Sequence, residues 1–192
     1  MIAESSRFVA SLRSQSGFLD HALHGCVPAL GDFGLVYLVD GDRLRCAAFA
    51  HATSTGRHLL RTLKHAYKLR RDDRDSTVAQ VVRIGRPALR LQIRREQRPA
   101  GAAGSARVFD LHRRLGAHSA LVVPIHGRDG VLGALGLAYS DSRRNYTPDQ
   151  IPIVEHIATQ MAFALDREQL VNARPGAGAP PRRRRLLARL RA

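Results

Sequence analysis

Cysteine is scarce in this chain of 192 residues, which holds only Cys26 and Cys46. Two thiols exclude a disulfide framework and a cysteine-rich metal site. Cys26 falls in a helical pattern and Cys46 in a strand pattern, so both read as small buried hydrophobes. No apolar run approaches the roughly 20 residues that cross a bilayer. The opening Met1-Ile2-Ala3-Glu4-Ser5-Ser6-Arg7 lacks the basic region and long apolar run of a signal peptide. The expectation is a soluble, cytoplasmic protein. Gly-x-Ser-x-Gly is absent, which removes a nucleophile elbow. No glycine-rich loop precedes a helix to cradle phosphate. The chain is not expected to be an enzyme.

Lysine is also nearly missing, with Lys64 and Lys68 alone, yet the formal net charge is +15. Arginine supplies the other 29 of the 31 basic residues. Seven of them, from Arg174 to Arg191, crowd the C-terminal stretch with no acidic residue, and without them the charge is +8. Arginine, alanine and glycine together are the mark of a GC-rich genome, so mutational bias accounts for part of the basicity. High charge attracts polyanions without specifying a fold.

The stretch over 119–140 organises the rest. Ser119-Ala120-Leu121-Val122-Val123-Pro124-Ile125-His126 and Val131-Leu132-Gly133-Ala134-Leu135-Gly136-Leu137-Ala138-Tyr139 flank the turn Gly127-Arg128-Asp129-Gly130. This is a β-hairpin signal, and its near-continuous apolarity predicts cover on both faces. Pro124, with no N–H, belongs at a bulge or on an unpaired side. Upstream, a short helix over 7–15 precedes an amphipathic helix over 18–30, with Gly17 as a break between them and Pro28 near the end. Strands over 33–39 and 44–51 join through Asp40-Gly41. Thr53, Ser54 and Thr55 offer caps for a helix with the stripe Leu59, Leu60, Leu63 and Ala66. Ser76 caps a helix that Gly85 ends. An edge strand over 88–93 leads to a flexible loop over 94–105, then to a helix over 106–115. Thr147, Pro148, Asp149 and Gln150 form a capping-box start for the last helix, which runs to about residue 172. The whole is an α+β layered domain. Its parts are a helical segment over 1–16, the domain over 17–172, and a Pro/Gly linker with a basic tail over 173–192.

These motifs resemble a GAF domain. The family's pattern is a strand of the type Leu115-Gly116 to Pro124-Ile125, a glycine-rich strand like Gly130 to Leu137, and a helix start like Tyr146-Thr147-Pro148-Asp149. They recur here in the same order, and the likeness covers about 18–170. The resemblance implies a six-stranded antiparallel sheet in the order 2-1-5-6-4-3, or one close to it, with helices on both faces and a small-molecule pocket on one. It implies a sensory or regulatory module in bacterial signalling, similar to those that accompany histidine kinases of two-component systems. The bilin-attaching Cys-His pair and the Asn-Lys-Phe-Asp-Glu type motif of cyclic-nucleotide binders are both absent. The positions of Cys26 and Cys46 do not fit the sulfoxide reductases of this fold. No cofactor is specified.

The pocket expected from this reading is lined by Tyr37, Phe49, His51, Leu91, Phe109, His118, Ser119 and Tyr139. The plainer reading is that half or more of them fill the core, because alternate strand residues face opposite sides. Nine histidines raise the question of metal. His21 and His24 share a helix face, but nothing supplies a third ligand, so surface histidines are the plainer account. Haem on one axial histidine is a weaker reading, although His51 and His118 border the expected pocket. The function expected is a stand-alone sensor that binds an unidentified small molecule, dimerises through its terminal helices and signals to a protein partner. The competing readings are a ligand-free interaction module, or a protein touching nucleic acid or other polyanions through the basic tail. For that tail a solvated terminus is the plainer account.

Overall fold

The computed structural model describes residues 15–93 and 106–172. The expected helix over 7–15, apart from Gln15, the loop over 94–105, the linker and the basic tail lie outside the described residues.

Helix α1 (Gln15–Cys26) leads into the hairpin of β1 (Phe33–Asp40) and β2 (Arg43–His51). Gly17 lies inside α1 and does not break it. The hairpin turn carries Gly41 at φ 60°, the left-handed conformation that Asp-Gly signals. Helix α2 (Ser54–Ala66) starts where Thr53 Oγ1 accepts the Gly56 N–H at 3.1 Å. Thr53→Ala is therefore expected to cost about 1 kcal/mol in denaturant unfolding. Ser76 Oγ caps α3 (Thr77–Ile84) by accepting the Ala79 N–H, and Gly85 ends it at φ 71°. Then come β3 (Ala88–Arg90), α4 (Ala106–Leu115), β4 (Ser119–Gly127) and β5 (Gly130–Tyr139). Pro148–Gln150 forms a 3-10 turn before α5 (Ile151–Asn172), and the Thr147 N–H donates to Gln150 Oε1 at 3.0 Å. None of these helices is long and apolar enough to cross a membrane.

Among the described residues the sheet has five antiparallel strands in the order β2-β1-β5-β4-β3, not six. The chain carries five β-rich runs, and each becomes one strand. The implied order is corrected too. It set the first strand of the central hairpin beside β1, whereas the second, β5, lies there. Gly133 is the physical reason, because any Cβ on it would overlap the Tyr37 carbonyl of β1. Glycine at 133 thus lets two strands approach closely. Strand β3 is also shorter than expected. It pairs only Ala88, Leu89 and Arg90 with β4 and leaves Leu91 51% exposed. Pro124 lies beyond the end of β3, where β4 has a strand partner on one side alone.

Alternation along the strands divides the core into two layers. Val36, Leu38, Leu121, Val123, Leu135 and Leu137 point to one face, under α1 and α5. The opposite face lies under α2, α3 and α4, and its cover is split. Tyr37, Val122 and Ala134 pack with α3, whereas Phe33 and Ala138 pack with α2 and α4.

Candidate functional site

The split cover leaves a gap over the middle of the sheet. Strand β5 is central, and Ala134 and Ala138 on its α2–α4 face are buried. Gly136 lies between them on the same face, yet it is only half-buried. Its cross-strand partner Leu35 and the partner of Leu35, Phe49, are half-buried as well. The row Phe49–Leu35–Gly136 is thus the floor of a cleft between α3 on one side and the α2–α4 pair on the other. A Cβ on Gly136 would find nothing nearer than Val122 Cγ2 at 3.7 Å, so the floor has room above it. Leu35, Phe49 and Tyr67 touch both side clusters and bridge the gap from below and from the end of α2.

Three polar groups stand by this cleft, and one is a cation: Lys64 Nζ lies 5.6 Å from the centroid of the Phe49 ring. Tyr67 packs edge-on to His112 of α4, with ring centroids 5.6 Å apart. Burial pushes the Tyr67 hydroxyl up to about 12; the Asp73 charge adds to this and a hydrogen bond to Ser76 opposes it. Burial pushes His112 down to about 4, so it is neutral at pH 7. Its Nε2 is buried without a hydrogen-bond partner. The floor itself is apolar.

The eight residues expected to line a pocket do not share one face. Phe49 is on the floor. Tyr37 is buried beside α3, and desolvation raises its hydroxyl pKa well above the usual value. His51 ends β2, stacked on Phe33 at 5.6 Å, with Nδ1 accepting the Thr53 N–H at 3.0 Å. Burial lowers its pKa, against the opposing charges of Asp141 and Asp32. Ser119 and Tyr139 pair with each other, and Tyr139 belongs to the α1–α5 core on the other side of the sheet. His118 Nε2 donates to the Arg144 carbonyl at 2.8 Å, before β4 begins. Phe109 is half-buried on α4, and Leu91 is exposed. Leu35, Gly136, Tyr67 and His112 are the cleft residues outside that expected set. Only His112 carried a signal, as a histidine directly after Leu111 and four residues after Val108 in the apolar stripe of α4.

A second polar cluster joins the layers at one end of the sheet. Asp32 is buried, and its Oδ2 accepts the N–H groups of Ser140 at 2.7 Å and Ser142 at 2.9 Å. Arg144 approaches Oδ1 at 3.8 Å, donates to the carbonyls of Pro28 and Ala29, and lies over the Tyr139 ring. Tyr146 stacks on Tyr139 at 4.4 Å, donates its hydroxyl to the Leu30 carbonyl, and gives its N–H to Ser119 Oγ. These bonds tie the chain after α1 to the segment between β5 and α5. Ser119 and Tyr139 are therefore parts of a clamp.

Among the described residues no group of three or more His, Cys, Asp or Glu is placed to hold a metal ion. His24 Nδ1 instead donates to the Asp20 carbonyl of its own helix at 2.7 Å. Burial pushes the Cys46 thiol up to about 11 and raises Cys26, so neither is a thiolate at neutral pH.

A family model described as "GAF domain" matches residues 13–166. No curated protein matches the chain. Among solved structures, residues 122 to 287 of a methyl-accepting chemotaxis protein are similar at 18% identity and a TM-score of 0.64. That match covers 88% of this chain and 99% of the other. The GAF domain of an Acinetobacter phosphoenolpyruvate-protein phosphotransferase is similar at 16% identity and a TM-score of 0.59, covering 87% and 93%. The second GAF domain of DevS from Mycobacterium smegmatis is similar at 16% identity and a TM-score of 0.59, covering 83% and 98%. At these identities the structures establish a shared fold, while the family match spans most of the sequence. The chain belongs to the GAF domain family.

Proposed function

We propose that this chain is a sensory module that binds a small, mostly apolar molecule in the cleft above Phe49, Leu35 and Gly136, and works in bacterial signalling in the cytoplasm. The half-buried Gly136 at the centre of the sheet carries this reading, because a central strand position that α2, α3 and α4 leave partly open offers a small guest room to dock. The similar domains come from a chemotaxis protein, a phosphotransferase and DevS, which favours regulation over catalysis. Native mass spectrometry of the purified protein, with an absorption spectrum, is the test. The expected result is a compound that leaves on mild denaturation. Gly136→Val, which fills the floor, is expected to abolish retention while the melting temperature stays within a few degrees. An apo mass for the natural chain, unchanged by Gly136→Val, would favour the ligand-free interaction module.

The module is proposed to dimerise through α1 and α5. Phe163 and Ile153 on α5 are 64% and 51% exposed, an unusual display for large apolar side chains on one helix. Phe163→Glu is expected to convert a mass of two chains into one. An unchanged mass would place the seam elsewhere.

A further inference from the structure

The charges of the helices divide by layer. Helices α1 and α5 contain one basic residue, Arg167, against Asp20, Glu155, Asp166 and Glu168. On the other face of the sheet α2 carries Arg57, Arg61 and Lys64 with no acidic residue. Helix α4 adds Arg107, Arg113 and Arg114 against Asp110 alone, and α3 adds Arg83. A genome-wide drift toward arginine would load both layers alike. It has not, so bias alone does not explain the basic layer.

The geometry concentrates this charge. Arg57, Arg61 and Lys64 stand at i, i+4 and i+7 on α2, and Lys68 follows just past its end. The three on the helix form one stripe about 10 Å long, and Lys68 lies beyond it, after the backbone turns extended at Tyr67. Helix α4 packs beside α2 through Val108, Leu111 and Leu115 against Leu59, Leu60 and Leu63. Arg57, Arg61, Lys68, Arg107 and Arg114 are exposed and make no ion pair among the described residues. Neither helix exposes a large apolar side chain. A protein interface needs an apolar centre, and stable lipid docking needs apolar anchors, so both fit this surface poorly. Among the described residues neither helix exposes a Phe, Tyr or Trp ring for stacking on unpaired bases. Free cations without apolar anchors, in a chain of pI near 11.4, match a run of phosphates.

We infer that the α2–α4 surface docks the phosphate backbone of duplex nucleic acid, without reading its sequence. Fluorescence anisotropy of the full chain, with a DNA duplex of about twenty base pairs and rising sodium chloride, tests this. Two double variants, Arg61→Gln with Lys68→Gln and Arg107→Gln with Arg114→Gln, remove surface charge with little effect on folding. Each is expected to weaken binding roughly tenfold and to lower the log–log salt slope by about 2. A tail variant, Arg182→Gln through Arg185→Gln, is the comparison. The inference is overturned if the natural chain fails to bind the duplex at low salt. It is overturned equally if only the tail variant loses binding. Binding to polyglutamate or to anionic phospholipid vesicles as strong as to the duplex, and equally reduced by the double variants, would reassign the surface to an acidic protein or to a membrane.

Discussion

Acidifying the protein from pH 6.5 to about pH 4 is expected to cost the fold on the order of 3 kcal/mol through His112 alone. The imidazole is buried and held neutral, with its pKa pushed down to about 4. An unfolded histidine titrates near 6.5. The unfolded state therefore takes up a proton over this interval and the folded state does not. By linkage, stability is complete above pH 6.5 and falls until the folded pKa is reached. Burial lowers the pKa of His51 as well, so its contribution has the same sign. Urea midpoints of the natural chain and His112→Phe, compared between pH 6.5 and 4.5, isolate the effect from the carboxylates. The variant is expected to show a flatter pH profile. Its stability at pH 7 is expected to rise by about 1 kcal/mol, since an unpartnered Nε2 has been removed from the interior. Parallel profiles would mean that His112 takes up its proton in the folded state.

What the chain announces locally, it builds. Asp40-Gly41, Thr53, Ser76 with Gly85, and Thr147 to Gln150 each act through bonds to residues a few positions away, so their roles are legible without the fold. Sheet order and face depend on distant partners. Both faces of β5 are apolar, and alternation says that Ser119 and Tyr139 oppose Ala120 and Ala138 without saying which side receives α1. Two predicted pocket residues accordingly sit in the clamp. The alternation Leu89, Leu91, Ile93 reads as a longer strand, but pairing stops at Arg90. A six-stranded order came from likeness to the family, and the five apolar runs were the better guide. Of the cleft floor only Phe49 is legible, because the cleft is a gap between α3 and the α2–α4 pair. Leu35 and Gly136 become a floor only because no helix among the described residues stands over them.

Replacing Asp32 by asparagine is expected to cost about 3 kcal/mol at pH 7, among the largest effects of any single polar substitution. Two backbone N–H groups of the turn after β5 converge on one carboxylate oxygen inside the protein. Charge-assisted bonds of this kind are the strong ones, and an amide cannot accept both as well. Burial pushes the Asp32 pKa up, but the bonds from Ser142 and Ser140, with the Arg144 charge, outweigh it and leave the pKa below the ordinary value. The sign follows: this stability is present above about pH 3.8 and is lost as pH falls through the folded pKa, so natural and variant chains should converge in strong acid. Arg144→Gln is expected to cost less, about 1 kcal/mol, because its guanidinium is half exposed and its ion pair is long. Guanidinium chloride unfolding of both variants decides between two descriptions of the clamp. If Asp32→Asn is the costlier, the carboxylate organises the turn and Arg144 only straps it to Pro28 and Ala29. The reverse order would make the strap itself the link between the chain after α1 and the segment entering α5.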